Sequence, residues 1–354
     1  MSSLLQSEPE CEARTRDTAA LDHWQIACLA RELRDKPVKA TLRNRPLVLF
    51  RDHSRKPVAL EDRCVHRNVP LSLGRVCNGQ LQCAYHGWEY DSEGRVACVP
   101  ALPAETARPK VRVAKFPTLE QDGFIWVASG NAVPGRGPSR FAHIDEPGWS
   151  SFVMRTRFRG TVEACLENFL DCPHATFVHR FWFRSPTSKA VKAVVMTTAD
   201  GAVAEYFEEP RERSVVWSLL SPRRGSMRHT DRFIAPATSR VDYQFANGWH
   251  YVITSSCTEV SAGETEVFTV ISFRCGMLTP LVGLYFEPLA RFIIQQDVKI
   301  LSEQQANIAR FGSPDFASTQ GDLLGPHIVA WRRSLRTGET PPPAGIVTNV
   351  DLRL

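Results

Sequence analysis

Short segments that alternate between hydrophobic and polar residues fill the first third of the chain. The segments 38–42, 46–52 and 124–128 have the composition of β-strands, and turns rich in glycine, asparagine and aspartate separate such segments. Many short strands joined by these turns predict a small all-β domain at residues 20–130. The polar residues 1–19 in front of it predict an irregular terminus.

A glycine- and proline-rich stretch at 130–149 predicts a linker to a second domain with a mixed pattern. Apolar residues at helical spacing predict helices at 161–178 and 288–308. Alternation predicts strands at 152–158, 194–209 (a hairpin), 215–219, 241–245, 250–258 and 266–273. The chain is therefore predicted to have an α+β fold, in which residues 150–335 form an antiparallel sheet covered by helices. The tail 337–354, with its run of three prolines, is predicted to be irregular.

The overall composition is that of a globular protein with two domains. The chain has 354 residues, of which 43% are hydrophobic and 23% charged. Its formal net charge is +5, and its arginines are scattered along the chain, so no nucleic-acid partner is predicted. Basic surface patches would be compatible with docking of an acidic electron donor.

The termini and the cysteines bear on location. The polar N-terminus does not resemble a secretion signal, and apart from two short motifs the ten cysteines have no paired spacing, which predicts reduced thiols in a cytoplasmic protein. The most apolar region, 276–294, is interrupted by prolines and charges, so no membrane span is predicted.

Two short motifs pair a cysteine with a histidine: Cys64-x-His66 and, 16 residues further on, Cys83-x-x-His86. Two thiolates and two imidazoles suit either a structural zinc ion or an iron–sulfur cluster. With one cysteine and one histidine in each loop, both sulfurs can bind one iron of a [2Fe–2S] cluster and both imidazoles the other, as in a Rieske centre. Zinc-finger spacing usually separates the cysteine pair from the histidine pair. The spacing favours the Rieske cluster, and zinc is the alternative.

A second group of candidate metal ligands lies in the second domain. His174 and His179 are about 140° apart around an ideal helix, so they converge on one ion only if the helix ends or distorts between them. Asp297 falls on an apolar stripe of the predicted helix 288–308, and a carboxylate there is costly unless a metal or a cation meets it. That stripe comprises Ile293, Asp297, Ile300, Gln304 and Ile308. Together the three groups would form the two-histidine, one-carboxylate site of a non-haem Fe(II) enzyme, and an ion-paired core aspartate is the alternative.

With both motifs, the sequence resembles the alpha subunits of the Rieske non-haem iron oxygenases. The pattern Asn168-x-x-Asp171-x-x-His174-x4-His179 is similar to the signature of that family. No cysteine follows closely behind the first ligand pair, which separates the chain from the Rieske subunits of respiratory complexes. The resemblance implies a cluster on Cys64, His66, Cys83 and His86 and a mononuclear Fe(II) on His174, His179 and Asp297. It also implies that Asp171 bridges His174 to His86 of a neighbouring subunit and so carries electrons between the two metal centres.

The function implied by this resemblance is that of a terminal oxygenase, which uses O2 to hydroxylate or oxidatively demethylate a small aromatic, heterocyclic or polycyclic molecule. No G-x-G-x-x-G motif is present, so electrons from NAD(P)H would arrive through a separate reductase, with or without a ferredoxin. The single-subunit length resembles the homotrimeric monooxygenase and demethylase branch, and dioxygenase activity stays open. The alternatives are an electron carrier or sensor with an inactive second domain, and a zinc-stabilised binding module. Five aromatic residues on predicted strands are candidates for an apolar pocket, but a core position is the favoured interpretation: Phe207, Trp217, Phe245, Trp249 and Phe268.

Overall fold

Three small antiparallel sheets form the first part of the chain. The computed structural model describes residues 23–128, 137–180, 182, 190–207 and 226–353. The strands of this part are β1 (Trp24–Leu29), β2 (Val38–Leu42), β3 (Arg45–Arg51), β4 (Pro57–Glu61), β5 (Arg75–Cys77), β6 (Gln80–Gln82), β7 (Glu89–Tyr90), β8 (Val96–Cys98), β9 (Lys115–Phe116), β10 (Thr118–Gln121) and β11 (Phe124–Ala128). They are ordered β1-β11-β10, β2-β3-β4-β9 and β5-β6-β7-β8.

In the described residues of the second part, an eight-stranded antiparallel sheet packs with three α-helices. The sheet is ordered β12-β18-β17-β16-β15-β14-β13-β19. Its strands are β12 (Ser150–Arg159), β13 (Ala190–Thr198), β14 (Gly201–Phe207), β15 (Met227–Ile234), β16 (Thr238–Phe245), β17 (His250–Ser261), β18 (Glu264–Arg274) and β19 (Val347–Arg353), and the helices are α1 (Val162–Leu170), α2 (Thr279–Phe311) and α3 (Gly325–Thr337). This architecture confirms the predicted α+β fold.

The large sheet is covered on both faces. On strand β18, Phe268 and Val270 pack with Ile26 and Phe124 of the first part, whereas Ile271 belongs to the core beneath the helices. Alternate residues of a strand point to opposite faces, so a single strand serves two cores. The side chain of Thr258 donates a hydrogen bond to the Ile26 carbonyl across the same junction. The helix-covered face is the one that carries the candidate site.

The helix α2 lies against the sheet along one stripe. Its buried residues include Phe286, Ala290, Ile293, Asp297 and Leu301, which recur every three or four positions. The predicted stripe was therefore correct at two of its five positions. Ile300 and Gln304 are exposed, and Ile308 is half-buried, because the buried face follows the N-terminal part of a helix that starts earlier than expected.

Helix α2 is also the feature closest to a membrane span. The segment Gly276–Phe311 is long and apolar enough to cross a membrane by length and composition, with a mean hydropathy of 1.3. Its buried stripe packs on the protein's own sheet. A single helix of this kind, with one face packed on a sheet, is weak evidence for a membrane-spanning segment.

Several sequence-based boundaries were wrong. The tail predicted to be irregular contains β19, which pairs with β13 from Ala190 to Met196. The predicted helix 161–178 ends at Leu170, and a 3-10 turn follows at Pro173–Thr176. Helix α2 begins at Thr279 rather than 288, with Pro288 inside it. The strand predicted at 215–219 lies outside the described residues. The nine described cysteines form no disulfide.

Candidate metal centres

The two cysteine–histidine motifs fold into loops with the same hydrogen-bond pattern. In the first, the Cys64 N–H donates to the Val69 carbonyl and the Cys64 carbonyl accepts from the Asn68 N–H, at 2.9 and 2.8 Å. In the second, Cys83 makes the same two bonds with Trp88 and Gly87, at 2.8 and 3.1 Å. The fifth residue of each loop, Asn68 or Gly87, has a positive φ of 60° or 70°, a conformation that asparagine and glycine adopt most readily. The chain therefore builds one type of loop twice.

These loops place the sulfurs inside and the imidazoles towards the surface. Cys64 and Cys83 are buried, whereas His66 is half-buried and His86 is exposed. Burial raises the pKa of Cys83, and neighbouring backbone N–H groups partly oppose that rise. The Tyr90 hydroxyl lies 3.0 Å from Cys64 Sγ. Buried thiols with hydrogen-bond donors aimed at them are suited to bind a metal as thiolates.

The histidine side of these loops fits the same group. The His66 and His86 rings have centroids 4.6 Å apart, and His66 stacks on Trp88 at 4.6 Å with an interplanar angle of 5°. The Nδ1 atom of His66 is buried, and no described residue provides a hydrogen-bond partner for it. A buried nitrogen without a hydrogen-bond partner in the protein fits a role as a ligand to an iron. Two sulfurs and two nearby imidazoles fit a Rieske cluster.

Three side chains of the second part converge at one point. His174 and His179 come from the turn after α1, and Asp297 comes from the buried stripe of α2. The Nε2 atoms of His174 and His179 lie 3.6 and 3.0 Å from Asp297 Oδ1, and the three groups offer ligand atoms within 4.8 Å of one another. Two atoms that each bind an ion at roughly 2.1 Å are at most about 4.2 Å apart. Both distances to Asp297 Oδ1 are within this limit, so the donor set fits one divalent metal ion.

The local fold explains why both histidines turn the same nitrogen inwards. Helix α1 ends at Leu170, Asp171 is extended, and Pro173 starts the 3-10 turn, so the two histidines are not held at helical spacing. The Nδ1–H of His174 donates to the Asp171 backbone carbonyl, and the Nδ1 atom of His179 lies 2.7 Å from Gln296 Oε1. Carbonyl oxygens only accept hydrogen bonds, so Nδ1 carries the proton and Nε2 keeps its lone pair for a metal.

The surroundings of Asp297 favour its charged form. Burial raises the pKa of this carboxyl, but the facing imidazoles of His174 and His179 outweigh that effect, and the net pKa is lowered. Asn168 also reaches it, with Nδ2 3.4 Å from Oδ1. A buried carboxylate that two imidazoles face fits the predicted metal ligand set.

Asp171 occupies the position between this site and the surface. Its backbone carbonyl, rather than its carboxylate, is the direct partner of His174, and the carboxylate Oδ2 lies 3.8 Å from His174 Nδ1. Burial raises the pKa of Asp171, and the nearby His174 partly opposes this. The side chain is 37% exposed, so its carboxylate is accessible from outside the chain.

A cavity of about 140 Å³ opens beside the three converging groups. It is roughly the size of a cavity that accommodates one benzene ring. Its described apolar walls include Met154, Phe169, Val241, Ile253, Ile271, Phe286 and Ile293. Of the five aromatic residues predicted for a pocket, Phe245, Trp249 and Phe268 pack in the cores, Phe207 is exposed, and Trp217 lies outside the described residues. The favoured core interpretation is therefore correct for three of the four described residues, and none of the four lines this cavity.

Comparison with known proteins identifies the family. Residues 23–117 match the Rieske [2Fe-2S] domain, and residues 158–337, about half of the chain, match the vanillate O-demethylase oxygenase C-terminal domain. The chain belongs to the Rieske oxygenases. Membership confirms the predicted fold and the predicted classes of cofactor, a Rieske cluster and a mononuclear iron. The individual ligand residues stay predictions that the geometry supports.

Relatives of this Rieske oxygenase include two demethylases. The methylxanthine N1-demethylase NdmA of Pseudomonas putida is 30% identical over 320 residues, 88% of each chain. The oxygenase component of dicamba O-demethylase from Stenotrophomonas maltophilia is 37% identical over 161 residues, 44% of this chain and 47% of the relative. The first four curated relatives are matched over 27%, 51%, 47% and 58% of their own length.

Solved structures show the same fold. Dicamba monooxygenase bound to dicamba superposes with a TM-score of 0.77 at 23% identity, over 91% of this chain and 98% of that one. At this identity the likeness establishes the fold alone.

One residue of the second site escaped sequence reasoning. Gln296 precedes Asp297 and orients His179, but a glutamine inside a long polar–apolar helix gives no signal by itself. Only the contact with a histidine 117 positions earlier reveals its role.

Proposed function

We propose that this protein is a terminal oxygenase component that hydroxylates or oxidatively demethylates a small ring compound. A second candidate is an electron carrier or sensor without catalysis. The observation that favours the oxygenase is the cavity, because it opens directly onto His174, His179 and Asp297. A carrier needs no ligand-sized cavity at a second metal centre.

The proposed ligands follow from the geometry. Cys64, His66, Cys83 and His86 hold the cluster, and His174, His179 and Asp297 hold Fe(II). When bound, the cluster supplies single electrons and the iron supplies open coordination positions for O2. The protein's own part is to fix the imidazoles through their Nδ1–H groups and to exclude water around the substrate.

Demethylation is the favoured form of the reaction. The relatives include a methylxanthine N1-demethylase and a dicamba O-demethylase. Oxidation of a methyl group on nitrogen or oxygen gives a product that loses formaldehyde. A cavity suited to one ring would admit methoxy- or N-methyl-substituted aromatic or heterocyclic compounds.

Electrons are proposed to come from NAD(P)H through a separate reductase, with or without a ferredoxin, in the cytoplasm. The exposed His86 and its neighbour Tyr85 provide a surface where another protein can approach the cluster. The half-exposed carboxylate of Asp171 provides the corresponding surface at the second site. We propose that Asp171 contacts His86 of a second copy, as the family resemblance implies.

A homotrimer is the proposed assembly. The N-terminal part of α2 and the turn before it expose four large apolar side chains on one surface: Met277, Leu281, Leu284 and Tyr285. Contiguous exposed apolar residues of this kind mark contact surfaces. Size-exclusion chromatography with light scattering tests the assembly, and Leu284→Glu is expected to convert trimers to monomers. A monomeric wild type would contradict it.

Metal analysis under anaerobic conditions tests the function. Wild type reduced with dithionite should give a Rieske electron paramagnetic resonance signal and three irons per chain, one more than the cluster alone contains. His174→Ala should keep the signal and have two irons. With a reductase, wild type should release formaldehyde from methoxy- or N-methyl-aromatics. A wild type with two irons and no formaldehyde after reconstitution would favour the carrier.

A further inference from the structure

A histidine is held between two tyrosines inside the large sheet. Tyr206 on β14, His229 on β15 and Tyr243 on β16 are direct partners in the strand register. The His229 ring stacks on both neighbours, with centroid distances of 4.6 and 4.3 Å and interplanar angles of 17° and 21°. Stacked cross-strand rings restrict the rotation of the middle side chain. His229 is therefore fixed in orientation as well as buried.

The fixed histidine holds a carboxylate. Asp231 is two residues further along β15, on the same face, and its Oδ1 atom lies 2.9 Å from His229 Nε2. Asp231 is only 2% exposed. Its own register partners are Ala204 and Val241, which have no polar side-chain atoms. Within the described parts of the chain, the bond with His229 is the one side-chain hydrogen bond to this carboxylate.

The Asp231 carboxylate can accept more hydrogen bonds than the one from His229. An ionised carboxylate offers about four acceptor positions, and a buried one with few partners is costly. Asp231 and His229 both line the cavity that also contains His174, His179 and Asp297. A ligand in this cavity can therefore supply the donor that the protein does not.

The charged side chains of the cavity are unfavourable for an anion. Asp171, Asp231 and Asp297 all line it, and its described lining residues include no lysine and no arginine. With Asp297 bound to the proposed Fe(II), a substrate carboxylate beside Asp231 would face two acidic side chains and no described basic side chain to pair with it.

We propose that Asp231, positioned by His229, selects a substrate that is uncharged or cationic and carries an N–H or O–H group. Aromatic carboxylates are rejected by the same residue. Specificity here combines an attractive contact with a repulsive one. This inference rests on the proposed function only in calling the ligand a substrate. Recognition of the ligand by Asp231 can be measured as binding, whether or not a reaction follows.

Three probes that differ in one ring substituent test the inference: 2-methoxyphenol carries a donor, methoxybenzene carries none, and 2-methoxybenzoate carries a negative charge. Their dissociation constants for the iron-loaded protein are measured by anaerobic calorimetry. Wild type is expected to bind 2-methoxyphenol about tenfold more tightly than either of the others, as one hydrogen bond to a charged group predicts.

The variants separate recognition from packing. Asp231→Asn should weaken 2-methoxyphenol about tenfold and tighten 2-methoxybenzoate, and general damage to the cavity cannot produce opposite shifts. His229→Phe keeps a ring between the tyrosines but removes the Nε2 donor that positions Asp231. The preference for 2-methoxyphenol over 2-methoxybenzoate should therefore fall to a value between those of wild type and Asp231→Asn. Arg228→Gln is the matched control on the outer face of β15, where Arg228 pairs with the Glu205 side chain. It should bind all three probes as wild type does.

Three results would overturn the inference: equal binding of the three probes by wild type, no measurable binding of 2-methoxyphenol at millimolar concentration, or unchanged ratios in Asp231→Asn. Formaldehyde release from the same probes reports on the proposed function separately. Release without the binding preference rejects the role of Asp231 alone. The preference without iron or release rejects the oxygenase and retains the recognition site.

Discussion

The Nε2 atom of His179 lies 3.0 Å from the Oδ1 atom of Asp297, which joins a turn after α1 to the middle of α2. We therefore expect Asp297→Ala to lose the mononuclear iron and all turnover while the visible spectrum of the cluster is unchanged. Iron content and absorbance are measured together. Glu303→Ala, an exposed acid on the same helix, is the control and should keep three irons. Loss of the cluster from Asp297→Ala would contradict the assignment.

The contact between Gln296 and His179 predicts a partial loss of metal affinity, smaller than the loss expected for Asp297→Ala. Gln296→Ala removes the acceptor that orients the imidazole, and loss of such a partner typically lowers metal affinity about 10- to 100-fold. Competition with a chelator measures the affinity. Gln296→Glu retains an acceptor and should restore most of it. Gln295→Ala, exposed on the neighbouring face, should bind iron normally, and an equal loss in that variant would point to helix damage instead.

The Tyr90 hydroxyl predicts a change in reduction potential. Hydrogen bonds to the sulfurs help to set the potential of an iron–sulfur centre, and this hydroxyl lies 3.0 Å from Cys64 Sγ. Tyr90→Phe should lower the potential by about 60 mV, the equivalent of roughly 1.4 kcal/mol for one electron. Spectroelectrochemical titration measures it. An unchanged potential with an intact cluster would show that the hydroxyl does not bond to the sulfur.

The buried pair of Glu163 and Arg332 predicts pH-dependent stability. Arg332 Nε lies 2.8 Å from Glu163 Oε1 and joins α3 to α1. Burial raises the pKa of Glu163, but Arg332 and Arg336 outweigh it, so the net pKa is lowered. A carboxyl whose pKa is lowered by folding stabilises the folded state at pH values above its unfolded-state pKa of about 4.3. This stabilisation is lost as the pH falls through the lower pKa of the folded state.

Glu163→Gln should accordingly lower the free energy of unfolding by about 2 kcal/mol at pH 7, because Arg332 stays buried without its charge partner. The difference from wild type should shrink as the pH is lowered from 5 towards 3. Urea denaturation across this range is the measurement. Glu287→Gln, which breaks the exposed pair with Arg291, should change stability by less than about 1 kcal/mol. A difference that grows in acid would reverse the sign of the linkage.

The sequence revealed those parts of the protein in which chemistry is concentrated in short motifs. The spacing of Cys64, His66, Cys83 and His86 is local, so the loops could be recognised without the fold. Asp297 was found because a carboxylate on an apolar stripe is unusual, even though the stripe itself was misplaced. These predictions depended on residue type and neighbours within one or two turns.

The rest depended on contacts across the sheet. Strand β15 was not predicted because its inward face contains His229 and Asp231, so its alternation looks polar on both sides. Strand β19 was read as an irregular tail because its residues are mostly exposed and a proline run precedes it. Both strands are held by their neighbours rather than by their own composition.

The two metal centres differ in how much of the chain must exist before each can form. The cluster ligands lie within residues 64–86, on two loops joined by the hairpin of β5 and β6, so the emerging chain can complete that centre early. The iron site waits for α2, which is synthesised more than a hundred residues after the histidines. During synthesis, a histidine pair without its carboxylate is therefore exposed for the time needed to add this segment. Chain connectivity therefore makes the proposed cluster ligands available before the proposed iron ligands are complete.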